Sequence, residues 1–195
     1  GQMRAAVEEA AKRGTYATAH AHGADGIKAA IRAGVRSIEH ASLIDDEGLA
    51  LAKAKGVWLV MDVFNGDYIE EVGTKEGWPT DYLRKNRETT DIQRDGFRKA
   101  VQMGARLAFG SDSGVYPHGM NGRQFAYMVK YGMTPAQAIR AATLDAATVM
   151  GWQDKLGTLE TGRFADMIAV EGNPLTNVRV LERVQGVIKA GVLVK

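Results

Sequence analysis

Apolar positions recur at helical spacing in several short stretches, and glycine closes most of them. Residues 3–13 suit a helix ended by Gly14, residues 24–33 carry Ile27, Ala30 and Ile31 on one face before Gly34, and residues 45–55 run to Gly56. Between them lie short segments rich in strand formers, 15–19 and 35–39, followed by a near-continuous apolar run over 57–62. Such a run suits a strand buried on both faces of a parallel sheet. A long helix is predicted over 80–103, a strand over 106–110, and helices over 122–131, 135–142 and 145–150. Residues 63–79, with three glycines, read as a loop too long for a plain connection and therefore functional. Four strand-then-helix units in a row make half of an eightfold barrel or part of a doubly wound sheet. After Gly151 the texture changes to short apolar runs at 165–170, 184–189 and 192–194, separated by glycines, which predicts a small β region. The expected division is 1–155 for the α/β part and 156–195 for the β part.

Composition narrows the chemistry. The chain has 195 residues, 45% of them hydrophobic, enough for one medium domain with a sizeable core. Lys and Arg total 25 against 23 Asp and Glu, so no strong field recommends nucleic acid or an anionic membrane as partner. No apolar run approaches the roughly 20 residues of a membrane span. Cysteine is absent, which excludes disulfides and thiolate sites and leaves nitrogen and oxygen as the ligands of any metal. The first residues, charged and helical, do not read as a signal peptide but as a cut within a larger domain, so the sequence assigns no compartment.

The polar residues fall where such an architecture places chemistry, at the C-terminal ends of strands. The first strand runs into Ala19-His20-Ala21-His22-Gly23, the second into Ile38-Glu39-His40 and the third into Met61-Asp62. The fourth runs into Gly110-Ser111-Asp112-Ser113, with Tyr116-Pro117-His118 a few residues on. All four histidines of the chain therefore sit at or just after strand ends. Two imidazoles and a carboxylate suit zinc or a similar borderline ion, which lowers the pKa of a bound water toward about 7. A single histidine in such a place is more often a hydrogen-bonded structural residue, but four on one rim favour a metal site. Asp112 has a competing reading as a helix N-cap. The loop that continues to Pro117 before helix resumes weakens it.

These residues together resemble the amidohydrolase superfamily, in its branch of binuclear metal-dependent dipeptidases and carboxypeptidases related to imidazolonepropionase. Three pieces carry the likeness over essentially the whole chain. They are His20-Ala21-His22-Gly23 with Ser37-Ile38-Glu39-His40, then Gly110-Ser111-Asp112 with Tyr116-Pro117-His118-Gly119, and lastly Ala141-Ala142-Thr143 with Gly157 through Asp166. The resemblance implies the C-terminal half of a TIM-like (β/α)8 hydrolase barrel in 1–155 and the closing strands of a small β-sandwich in 156–195. It implies that His20 and His40 bind one ion of a zinc pair and Asp112 the other. Asp112 would also serve as general base and acid, taking a proton from the attacking water and handing it to the leaving amine. His22 and His118 would contact substrate or its oxyanion, with His118 favoured because its loop can fold over the metals. The family's His-x-His pair on the first barrel strand and its carboxylated lysine on the fourth have no counterpart here. An N-terminal half of the same barrel is thus an expected partner, and a homo-oligomer remains open.

Members of that branch release a C-terminal residue from dipeptides or N-acyl amino acids, some preferring Arg, Lys or Pro. Asp62, Asp67, Glu70 and Glu71 surround Tyr68 in the expected loop. Acids over a pocket would favour a C-terminal Arg or Lys through charge-assisted hydrogen bonds, with Tyr68 touching substrate; a solvated acidic face is the plainer alternative. Arg84, Arg87 and Arg123 are candidates to hold the substrate carboxylate, although helix positions suit solvent equally. A cyclic amidohydrolase on the same site and a non-catalytic half-barrel are the rival readings.

Overall fold

A computed structural model describes residues 1–195, which form two compact units, Gly1–Gly110 and Ser111–Lys195. The first unit opens with helix α1 (Gln2–Lys12) and then alternates β1 (Thr18–Gly23), α2 (Ala24–Ala33), β2 (Ser37–Leu43), α3 (Asp46–Lys55) and β3 (Trp58–Met61). Helices α4 (Asn65–Glu76) and α5 (Thr80–Met103) follow, and β4 (Leu107–Phe109) ends it. The four strands lie in chain order, all parallel, and the helices supply the crossovers that parallel pairing requires. Gly34 shows how the sequence punctuates this: at φ 98° it ends α2 in the left-handed conformation that glycine adopts without steric cost.

Register explains the two faces of the sheet. Ala19, Ile38, Leu59 and Leu107 align across it, and Ile38 and Leu59 are wholly buried on the side covered by α2 and α5. Truncating a side chain so placed, such as Leu59→Ala, falls in the class that costs about 2–5 kcal/mol. The opposite face carries Thr18, His20, Glu39 and Val60, more polar and more open, with Ser37 buried among them. Beside the ends of β1 and β2, nearly buried Lys28 donates to Asp45 at 2.7 Å and Glu47 at 3.1 Å. Asp45 also accepts from the Gly48 N–H as the N-cap of α3. Lys28, then the Gly48 N–H, hold the Asp45 carboxyl below its usual range.

The expected loop over 63–79 is instead mostly helix. Its glycines misled the reading because two of them serve packing. A Cβ on Gly66 would lie 2.4 Å from Thr90 Oγ1 and 2.6 Å from Thr90 Cγ2, and one on Gly73 would lie 2.9 Å from Leu83 Cδ2. Both neighbours belong to α5, so these glycines let α4 and α5 approach closely. Gly66→Ala is expected to destabilise the chain by about 1–2 kcal/mol in urea unfolding, the overpacking cost exceeding the helix-propensity gain of about 1 kcal/mol. Adding Thr90→Ala should recover most of that loss, and no loss in the single variant would contradict the packing argument.

The second unit contains α6 (Arg123–Lys130), α7 (Pro135–Arg140), a π-helical turn over Ala141–Asp145 and α8 (Ala146–Val149). Thr134 and Gln137 form a reciprocal capping box with Pro135 at the first helical position, fixing where α7 starts. The sequence predicts a break near Thr143; the wide turn bridges it and keeps 135–149 continuously helical. Strands β5 (Met167–Val170), β6 (Val184–Lys189) and β7 (Val192–Leu193) form an antiparallel sheet in that order, with a 3-10 turn over Val178–Glu182. Ala126, Val178 and Leu181 centre this unit's small core, with Phe125, Val129, Ile139 and Val170 packed on it.

Candidate metal centre

The predicted first strand begins later than expected, and the shift matters: β1 includes both His20 and His22. Two residues apart on a strand, they point to the same side. His40 needs a different device. It pairs in register with Ala21, whose side chain lies on the other side from His20 and His22, so an ordinary strand would send His40 toward the helices. His40 and the next residue, Ala41, instead adopt φ values of 71° and 50°. Left-handed backbone costs a non-glycine residue about 1–2 kcal/mol, and here two stand in succession. The break shifts the β1–β2 register beyond Ala21 and turns the His40 ring into the open side.

Three imidazoles meet there. Ring centroids are 4.5 Å apart for His20 and His40, 4.7 Å for His22 and His40, and 4.7 Å for His20 and His22. One ring nitrogen from each lies within 4.8 Å of the others. His22 Nδ1 is 2.9 Å from Ser42 Oγ, and His40 Nδ1 is 2.8 Å from Asp62 Oδ1. The second oxygen of Asp62 accepts from Asn65 Nδ2 at 2.7 Å, while Gln93 Nε2 stands 3.4 Å from Oδ1. A cation between the three neighbouring imidazoles would find three nitrogen ligands. The donor set fits a zinc-like ion. His22, which the resemblance implies is a substrate contact, stands only slightly farther from His40, at 4.7 Å, than His20 does at 4.5 Å.

Three of the four acids expected above a pocket have other partners. Asp62 is buried behind His40, Asp67 pairs with the Arg94 guanidinium, and Glu70 takes a two-pronged grip from Arg87 with its shortest contact at 2.6 Å. Arg84 is likewise engaged by Glu88 at 2.8 Å, which answers the expectation that Arg84 or Arg87 stands ready for a substrate carboxylate. Arg87 holds the Glu70 carboxyl below its usual range. Tyr68 packs edge-on to Phe64, centroids 6.4 Å apart. The parts that sequence reasoning missed are Ser42, Asn65 and Gln93. The one linear signal was the amide three residues after Asp62.

In the second unit Asp112 lies in a tight turn at φ 48°, its carbonyl accepting from the Val115 N–H at 3.2 Å. Helix does not resume until Arg123, which opens α6 behind an N-cap at Gly122, so Asp112 caps nothing. His118 Nδ1 lies 3.2 Å from Ser113 Oγ.

The sequence profile of the amidohydrolase family matches residues 1–194. Ochratoxinase from Aspergillus niger is 35% identical over 196 residues, covering 95% of this chain and 38% of ochratoxinase. Imidazolonepropionase from Symbiobacterium thermophilum is 29% identical over 76 residues, or 36% of this chain and 17% of that enzyme. Among solved structures, a Xaa-Pro dipeptidase with methionine bound in its active site matches with a TM-score of 0.93 and 40% identity, over 99% of this chain and 48% of its own. The A. niger ochratoxinase structure matches at 0.83 with 35% identity, over 99% and 44%. The chain spans about half the length of these solved relatives and less of the curated ones, and its α/β fold corresponds to the C-terminal half of their barrel. It belongs to the amidohydrolase family.

Proposed function

We propose that this chain supplies half of the active site of a metal-dependent hydrolase that cleaves an amide bond and releases the C-terminal amino acid of a dipeptide or N-acyl amino acid. The observation that carries this is the cluster of His20, His22 and His40, with His40 held by a buried carboxylate, in a chain of this family. The relatives named a Xaa-Pro dipeptidase and a prolidase complexed with N-methylphosphonate-L-proline support the substrate class. His20 and His40 would hold one zinc ion through their ring nitrogens, and Asp112, by its place after β4 in the chain, another. When bound, such ions polarise the scissile carbonyl and activate water. Asp112 takes the proton released on attack and returns it to the leaving amine. His118, Tyr68 and, steadied by Ser42, His22 orient the substrate.

The upstream half of the barrel completes this species. In support, β1 has β2 as its single sheet neighbour, and the solved relatives are about twice as long. Residues 156–195 supply part of a sandwich; Ile168, Val192 and Leu193 on their sheet are exposed apolar groups of the kind a second sheet covers. The expected preference for C-terminal Arg or Lys has less electrostatic support than the sequence suggests, because Arg94 and Arg87 already face Asp67 and Glu70.

Elemental analysis tests the metal reading. A protein extended upstream should carry about two zinc ions per chain, as binuclear hydrolases do, and the 195-residue chain markedly less. His20→Ala with His40→Ala should remove at least half of the metal. No metal in either protein, or an undiminished content in the double variant, overturns the mechanism. Offering a dipeptide beside a cyclic imide separates the peptidase from a cyclic amidohydrolase.

A further inference from the structure

We propose that Asp62 is a positioning residue: it fixes the His40 imidazole as the Nδ1–H tautomer, so that the ring's lone pair lies on Nε2. The inference rests on the reading of His40 as a metal ligand for its consequence, but not for its geometry. The His40 and Asp62 side chains are only 13% and 8% exposed, so water competes little for their 2.8 Å contact. A carboxylate that only accepts places the shared hydrogen on Nδ1 and the ring's lone pair on Nε2, the form in which imidazole binds a cation.

Asp62 is itself held in place. Asn65, the first residue of α4, donates to its Oδ2 at 2.7 Å, and Gln93 of α5 approaches its Oδ1 at 3.4 Å. A carboxylate fastened from two helices cannot rotate away, and so the ring it faces cannot either. That restraint has a purpose at His40, whose left-handed backbone gives its ring a direction the strand would not impose. Burial excludes the alternative that Asp62 greets substrate. An ordinary structural hydrogen bond would stabilise the fold without dictating which nitrogen binds metal. Carboxylates behind ligating imidazoles set both tautomer and ligand basicity, and losing one typically costs 10–100-fold in metal affinity, a general range of about that size.

The test reads the tautomer directly. Long-range proton–nitrogen correlation spectra of the metal-free 195-residue chain are recorded under alkaline conditions where imidazoles are neutral, with His40 assigned by its loss in His40→Gln. Wild type should show His40 as Nδ1–H. Asp62→Ala should shift it toward the Nε2–H form that free imidazole prefers, while Asp62→Asn, which keeps a carbonyl acceptor, should retain much of Nδ1–H. Zinc affinity, measured against a chromophoric chelator, should fall about 10–100-fold in Asp62→Ala and less in Asp62→Asn. An Nε2–H His40 in wild type, or an unchanged tautomer in a folded Asp62→Ala, overturns the proposal. The wild-type spectrum suffices for that even if the alanine variant does not fold. A tautomer that follows Asp62, with zinc binding indifferent to His20→Ala and His40→Ala, would support the hold on the ring and overturn the metal reading instead.

Discussion

Asp112→Asn, in the protein extended by its upstream half, should lower kcat for amide hydrolysis by about 10²–10⁴-fold, the usual worth of a positioned general acid–base. The substitution is chosen for what it leaves alone. Asp112 occupies left-handed backbone at φ 48°, a conformation that Asn tolerates as well as Asp, so the turn through Val115 should persist. Alanine there would mix backbone strain with chemical loss. Asparagine keeps an oxygen that can approach a cation but cannot take up a proton near neutral pH. Assays at saturating zinc distinguish proton transfer from metal loss: a rate restored by added zinc would assign Asp112 to holding metal alone. Activity within a few-fold of wild type, with normal metal content, would remove it from the mechanism.

Much of this architecture was legible in the chain because glycine punctuation and apolar runs are local signals. The stops at Gly34, Gly56 and Gly104 fall at observed helix ends, and the runs at 35–39 and 57–62 overlap β2 and β3. The histidines could be assigned to strand ends for the same reason. What escaped depends on partners remote in sequence. Gly66 and Gly73 looked like loop glycines because Thr90 and Leu83, the residues they make room for, lie on another helix. Asp67 and Glu70 looked available to substrate until Arg94 and Arg87 arrived from 27 and 17 residues downstream. Asp62 looked like a member of the same acidic group, and only the fold shows it turned inward to His40. A period-two reading of β2 would even place His40 on the wrong side, because two successive positive φ values have no mark in a sequence that lacks glycine there.

That unmarked kink carries the second large expectation. Ala41 is fully buried at φ 50°, directly after His40 at φ 71°. Ala41→Val should cost about 2–4 kcal/mol in urea unfolding, combining the left-handed penalty of a β-branched residue with overpacking of about 1–3 kcal/mol. It should also weaken zinc binding, because a strand that relaxes to ordinary φ turns His40 back toward the helix side. Ala41→Gly separates the two causes. Glycine enters the left-handed region without steric cost but gives up about 0.5–1 kcal/mol of chain entropy and a buried methyl, so its stability should stay within about 1 kcal/mol of wild type, with zinc affinity preserved. If valine and glycine are equally damaging, the methyl's packing and not the backbone turn is what Ala41 contributes. If valine is tolerated, β2 can run straight without losing the histidine cluster, and the direction of His40 must then come from the Asp62 hydrogen bond alone.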